Sequence, residues 1–232
     1  MKTRVLRGAV LAGVAFTLVA CEAKKDTASA GMSNDMASAI FKDDAAAIKA
    51  LLDKGESINA KQNGQTALHM AAKEGKLQVI TTLLARGADV NALDTNDYTP
   101  VMLAARSCKD TAIGNMLNQG AKVEAKDKLG VTALHLAADK GCLSTIKLLV
   151  ERGANIQART NSGITALAFA MNRLWQAPVV VRNDTDVVMF LKGKFGPGAD
   201  TIKPTAEAYQ MQQEAEKAAK TPAKGAGKGA GK

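Results

Sequence analysis

Aromatic side chains are scarce in this chain of 232 residues: one Trp, two Tyr and five Phe, or 3%. So few rings exclude a large aromatic core, and the plentiful Ala and Leu suit close contacts between helices instead. There are only two histidines, His69 and His135, and three cysteines. No Cys-x-x-Cys or His-Glu-x-x-His occurs, so the common zinc and redox motifs are missing. A serine elbow, a phosphate-cradling glycine loop and paired catalytic carboxylates are missing too. These absences argue against an enzyme, a cofactor or a metal. Val10 to Ala20 is apolar, but that run is too short for a stable membrane-spanning anchor.

The charge is one-sided, with a formal net value of +9. Most of it lies at the ends: residues 1–20 carry +3 and residues 203–232 another +3. The remainder, residues 21–202, is left with +3, which removes the main support for a nucleic-acid partner.

What is present is a repeat. Thr132-Ala133-Leu134-His135-Leu136-Ala137-Ala138 leads into Asp139-Lys140-Gly141, a second apolar stretch from Cys142 to Val150, and a stop at Gly153. Nearly the same string begins at Thr66, with further copies at Thr99 and Thr165; the lead threonines are 33 residues apart throughout. A fixed period of this length with a Thr-x-Leu-His start resembles the ankyrin-repeat family. The resemblance covers residues 33–202. It implies an all-α solenoid of about five helix-turn-helix units with β-hairpin loops, the units lying near 33–65, 66–98, 99–131, 132–164 and 165–202. It also implies that His69 and His135 bond neighbouring backbone and tie repeats together.

The units are unequal. The first lacks the Thr-x-Leu-His start and carries Ser33, Asn34, Asp35 and Lys42, as fits a polar capping repeat. Asp43 and Asp44 sit where its second helix would be capped. In the third unit Met102 replaces His, Cys108 replaces the inter-helix Gly, and Asp97 replaces the hairpin Gly. Gly114 weakens its second helix by about 1 kcal/mol relative to Ala, so this unit is expected to be the softest. The fifth unit holds roughly ten extra residues between its helices, around Asn172 to Asp184, with its second helix expected near Asp186. Insertions of this kind map to surface loops and often to a binding face; a C-terminal cap covering unit four is the other reading.

The ends read differently. Lys2, Arg4 and Arg7 precede the apolar run, which closes on Leu18-Val19-Ala20-Cys21. This resembles the lipobox of bacterial lipoproteins. The resemblance implies a signal peptide over 1–20, lipidation of Cys21, and a periplasmic protein anchored in a membrane through that residue. Glu22 in place of Asp points to the outer membrane. Residues 21–32 would be a tether. Residues 203–232 are rich in Lys, Ala and Gly and cannot bury a core, so a disordered tail is expected.

Cys108 and Cys142 fall in adjacent repeats, offset by one position. Equivalent positions of stacked helices lie roughly 10 Å apart, while a disulfide needs Cα atoms about 4.4–6.8 Å apart. The offset can close that gap or widen it, so a bond between them is possible in an oxidising compartment but open on sequence. If formed, it would staple unit three to unit four.

Ankyrin proteins meet partners through hairpin tips and the concave face of the first helices. Carried onto this sequence, that implies a protein-binding surface of Lys73, Glu74, Tyr98, Arg106, Ser107, Leu129, Val131, Asp139, Lys140, Ile164, Asn172, Arg173 and Trp175. Tyr98, Leu129, Val131 and Ile164 would form an apolar line across three tips, with Tyr98 and Arg106 as anchors. Val131 and Ile164 could equally pack on the adjacent hairpin. The expected protein is a monomer that binds another protein, a periplasmic enzyme. It resembles periplasmic ankyrin self-protection (immunity-type) proteins, which implies inhibition of a hydrolase such as a cell-wall peptidase. The alternative is a scaffold or accessory factor for an oxidative-stress enzyme such as catalase.

Overall fold

The computed structural model describes residues 31–176 and 182–196, with side chains for all of these except 173–176 and 182–184. The expected signal peptide, Cys21, most of the expected tether and the expected 203–232 tail therefore lie outside the described residues.

Most units begin where a side chain caps a helix. Thr66 and Thr99, in extended conformation, accept the backbone N–H three residues on, satisfying a donor that the first turn leaves open. Ser33 does the same for the first unit through Met36, at 3.0 Å. The described residues form ten helices in five pairs: α1 (Asn34–Lys42) with α2 (Ala45–Asp53), α3 (Ala67–Glu74) with α4 (Leu77–Ala85), α5 (Pro100–Arg106) with α6 (Asp110–Asn118), α7 (Ala133–Lys140) with α8 (Leu143–Glu151), and α9 (Ala166–Gln176) with α10 (Arg182–Phe195). Odd-numbered helices stack on one another in one layer and even-numbered helices in a second.

The stacking follows from what recurs every period. Ala71-Ala72, Ala104-Ala105 and Ala137-Ala138 are all fully buried; side chains this small let the inner helices approach closely. In the outer layer Ile80, Ile113 and Ile146 form one buried ladder, which Ile48 extends into the first unit; Leu83, Met116 and Leu149 form a second. No unit has an apolar face that closes on itself, so each is stable only against its neighbours.

Between units the chain turns through a tight tip. The glycines at 64, 130 and 163 have φ of +79°, +76° and +77°, and Asp97 holds the equivalent place at +62°. Among the described residues the first loop is a paired hairpin, β1 (Lys61–Gln62) against β2 (Gln65–Thr66), and a single bridge joins Arg159 to Thr165. The later tips are closed by backbone bonds from Asp94 N to Tyr98 O (3.0 Å), Asp127 N to Val131 O (3.0 Å) and Thr160 N to Ile164 O (2.9 Å). The aspartate side chains turn back onto their own loops and take the place of ladder partners.

Unit five also departs from expectation. Its extra residues go largely into helix: α9 has 11 residues and α10 has 14, against 8 and 9 for α7 and α8. The second helix starts at Arg182, ahead of the expected Asp186; residues 177–181 are not described. The capping expectation for unit one resolves between its two aspartates. Asp44 caps α2 through Ala47 N at 2.9 Å, while Asp43, at φ +57°, accepts Val79 N of the next unit at 3.2 Å.

Gly114 lies inside α6, and a Cβ built there meets nothing within 4 Å. Gly114→Ala is expected to raise the unfolding free energy by about 1 kcal/mol, seen as a higher urea midpoint at unchanged slope. A lower midpoint would show that unit three depends on the glycine.

Candidate protein-binding face

In units two to four the last turn of the inner helix carries two successive exposed or half-buried residues, and Asn172 continues them in unit five. In register they are Lys73 and Glu74, Arg106 and Ser107, Asp139 and Lys140, and Asn172 with Arg173. Lys73 and Lys140 are exposed, and Glu74, Arg106, Ser107, Asp139 and Asn172 are half-buried. The structure therefore brings these expected residues into one row along one layer. Lys140 Nζ lies 2.9 Å from its neighbour Asp139, a surface pair that contributes little. The side chains of Arg173 and Trp175 lie outside the described ones.

The apolar line is corrected. Tyr98 is 5% exposed, Val131 fully buried and Ile164 8% exposed, while Leu129 is half-buried. The cause is position. Each of the three buried residues immediately precedes a lead threonine, so it packs into the joint between units as a hydrophobic staple does. The Arg106 guanidinium lies 5.5 Å from the centre of the Tyr98 ring, so the two expected anchors meet each other. The tips themselves are tied sideways: Lys128 Nζ donates to Thr95 O at 2.6 Å, Asn161 Nδ2 to Lys128 O at 3.0 Å.

At the other end of the row the face opens. Phe41, Gln62, Asn63, Gln65, Met70, Lys73 and Glu74 line a shallow cleft of about 110 Å³. Phe41 is 55% exposed, large for an aromatic group on a chain with so few. The Gln62 side-chain amide donates to Asn34 Oδ1 at 3.1 Å and that of Gln65 to Asp94 Oδ2 at 3.4 Å, which holds both over the cleft. Sequence reading had missed Phe41 and Met70. The period itself carried the signal, because Phe41 is 33 residues before Glu74 and belongs to the same row. In sequence its unit reads only as a cap.

The family "Ankyrin repeats (3 copies)" matches at residues 8–94, 35–127 and 101–191. This chain belongs to the ankyrin-repeat family. Its repeats give it a protein–protein interaction role, which fits a face built from side chains that the ankyrin stack leaves over. Among the described residues no group of three or more His, Cys, Asp or Glu is placed to hold a metal ion, and no helix is long and apolar enough to cross a membrane.

The two ankyrin-motif histidines are fully buried and stand away from the face. His69 Nε2 lies 2.9 Å from Tyr98 O, and His135 Nε2 lies 3.1 Å from Ile164 O. A carbonyl only accepts, so Nε2 carries the proton; Nδ1 then accepts from Thr66 N at 3.3 Å and from Thr132 N at 3.2 Å. His135 also meets Phe169 edge to face, ring centres 5.4 Å apart. A second proton would have to sit on Nδ1, facing an N–H. Burial is the chief cause that lowers both pKa values, that of His135 to about 4, although the accepting carbonyls oppose it.

Both folded values lie below the unfolded value near 6.5, so the unfolded chain takes up protons first as the pH falls. For His135 the stability from the neutral ring is fully present above about pH 6.5 and is lost between there and about pH 4, and His69 acts in the same direction. For His135 alone the loss is about 3 kcal/mol. Urea midpoints measured across that window should fall steeply for the wild type and less steeply for His135→Gln. A flat wild-type curve would contradict the buried neutral state.

Proposed function

We propose that this ankyrin protein is held in the periplasm through a lipidated Cys21 and binds a hydrolase exported by its own cell, most concretely a cell-wall peptidase, to block it. The reading has three supports. The Leu18-Val19-Ala20-Cys21 string resembles a lipobox. Cys108 and Cys142 are disulfide-bonded, and structural disulfides belong to oxidising compartments. The inner-helix face offers an exposed aromatic group between amides and an opposite-charge pair, the mixture that anchors protein interfaces.

The exposed Phe41 cleft is the observation that carries binding. Nothing in the ankyrin stack requires a phenylalanine there, since Glu74, Ser107 and Lys140 fill the same position in later units. Inhibition would be steric. A rigid row of helix ends covers the mouth of the enzyme's active site and excludes substrate, and the inhibitor supplies no reactive group. Anchoring on the producing cell favours self-protection over action on a distant target.

The test is inhibition of purified co-exported peptidases in a cell-wall hydrolysis assay. Wild type is expected to suppress one of them, and Phe41→Ala with Lys73→Glu to weaken that suppression at least about tenfold at unchanged thermal stability, because both side chains are exposed. Full activity of every co-exported hydrolase in excess inhibitor would rule the reading out. Enhanced activity of a peroxide-consuming enzyme instead would favour the accessory role.

A further inference from the structure

Joints between successive units are not alike. His69 closes the joint between units two and three by donating to Tyr98 O, and His135 closes the joint between four and five by donating to Ile164 O. Between units three and four the equivalent residue is Met102. Its sulfur accepts Thr99 N at 3.3 Å, as a histidine Nδ1 would. A thioether has no proton to give, so the Val131 carbonyl receives only Asp127 N from its own tip. That same joint carries the disulfide between Cys108 and Cys142, with Cα atoms 5.5 Å apart.

Two further features set Cys108 apart. It occupies φ +55°, where the neighbouring units place Gly75 and Gly141 at +74°, a conformation that disfavours a β-carbon. Cysteine at such a position needs a reason, and the bond to Cys142 supplies one. The pair is also asymmetric: Cys108 is exposed, while Cys142 is 5% exposed and stands at the N-cap of α8.

We propose that Cys108–Cys142 is a thiol–disulfide exchange site for a dithiol reductant, and that it serves as the redox-dependent tie of the one middle joint without a histidine. A reductant thiolate attacks the exposed Cys108 sulfur. The S–S bond breaks, Cys142 leaves as a thiolate favoured by the N-terminal amides of α8, and a proton from water makes it a thiol. The reductant's second thiol then displaces Cys108 from the mixed disulfide. Two electrons and two protons pass to the protein, and the dithiol becomes a disulfide. Arg106 and Ser107 lie immediately before Cys108, and Asp139 and Lys140 immediately before Gly141 and Cys142, so opening the bond loosens the middle of the binding row. The exchange and the loosening stand without the peptidase reading.

The experiment is hydrogen exchange by mass spectrometry on the full-length protein, oxidised and after dithiothreitol. Reduction is expected to speed exchange in Pro100–Asn118 on the order of a hundredfold, with far smaller change in Ala67–Ala85. Cys108→Gly with Cys142→Ser should reproduce the reduced pattern without strain at position 108. Met102→His, which restores the missing donor, should shrink the redox effect to less than about tenfold. Brief treatment with glutathione should place the mixed disulfide on Cys108. Equal acceleration in all units, an undiminished effect in Met102→His, an adduct on Cys142, or a bond that resists dithiothreitol in the native protein would each overturn the proposal.

Discussion

The structure depends on one small hydrogen-bonding problem, solved once per unit. The residue before the lead threonines at 99, 132 and 165 brings its backbone into the joint between two repeats, where water cannot reach it. A buried carbonyl or N–H left unpaired costs on the order of 1–3 kcal/mol, so the chain supplies partners. Asp94, Asp127 and Thr160 hold the N–H groups of Tyr98, Val131 and Ile164 with their side chains, and their own N–H groups serve the carbonyls. Histidine adds a second donor at two of these joints, and through Nδ1 it engages the threonine cap as well. Capping, tip closure and stacking are thereby one network, and a change at His69 or His135 is felt in two units at once.

The same network decides what is left over for recognition. Apolar residues at the tips are drawn inward because the joint needs them, and tip polar groups such as Lys128 and Asn161 bond the next tip along. Among the described residues, exposed or half-buried side chains line the last turn of the inner helices, singly at Phe41 in unit one and in pairs in units two to four. Their character changes along the row, from Phe41 with Met70 beneath it, through Lys73 with Glu74, to Lys140 beside Asp139. A partner that reads this row meets an apolar contact at one end and polar or charged ones further on.

Unit three shows how a repeat tolerates departures. It lacks the histidine donor, has a glycine within its second helix, and places a β-carbon at left-handed Cys108, while the tip that leads into it does the same at Asp97. Each is destabilising, and they fall in the middle of the stack, where a weak unit would divide it. A covalent link closing a loop of this length contributes about 4 kcal/mol, enough to offset several such losses together.

The period, the helix pairs, the caps and the inner alanine pattern were legible in the sequence, because each is a short-range rule restated every 33 residues. So was the role of the two histidines, which recur at one fixed place after the threonine. Other features depended on the distance between neighbouring units, and no local pattern contains that distance. Tyr98, Val131 and Ile164 look like exposed tip residues until the adjacent repeat closes over them. Phe41 looks like part of a cap until its helix is seen in line with α3. The one-position offset of Cys108 and Cys142 could have parted them or joined them; the left-handed turn at 108 and the stacking of α5 on α7 settle it at 5.5 Å between Cα atoms. Sequence alone determined which contacts repeat, since backbone geometry makes them local, whereas the tertiary structure decided which surfaces those repeats bury against one another, since that follows from how closely the units pack.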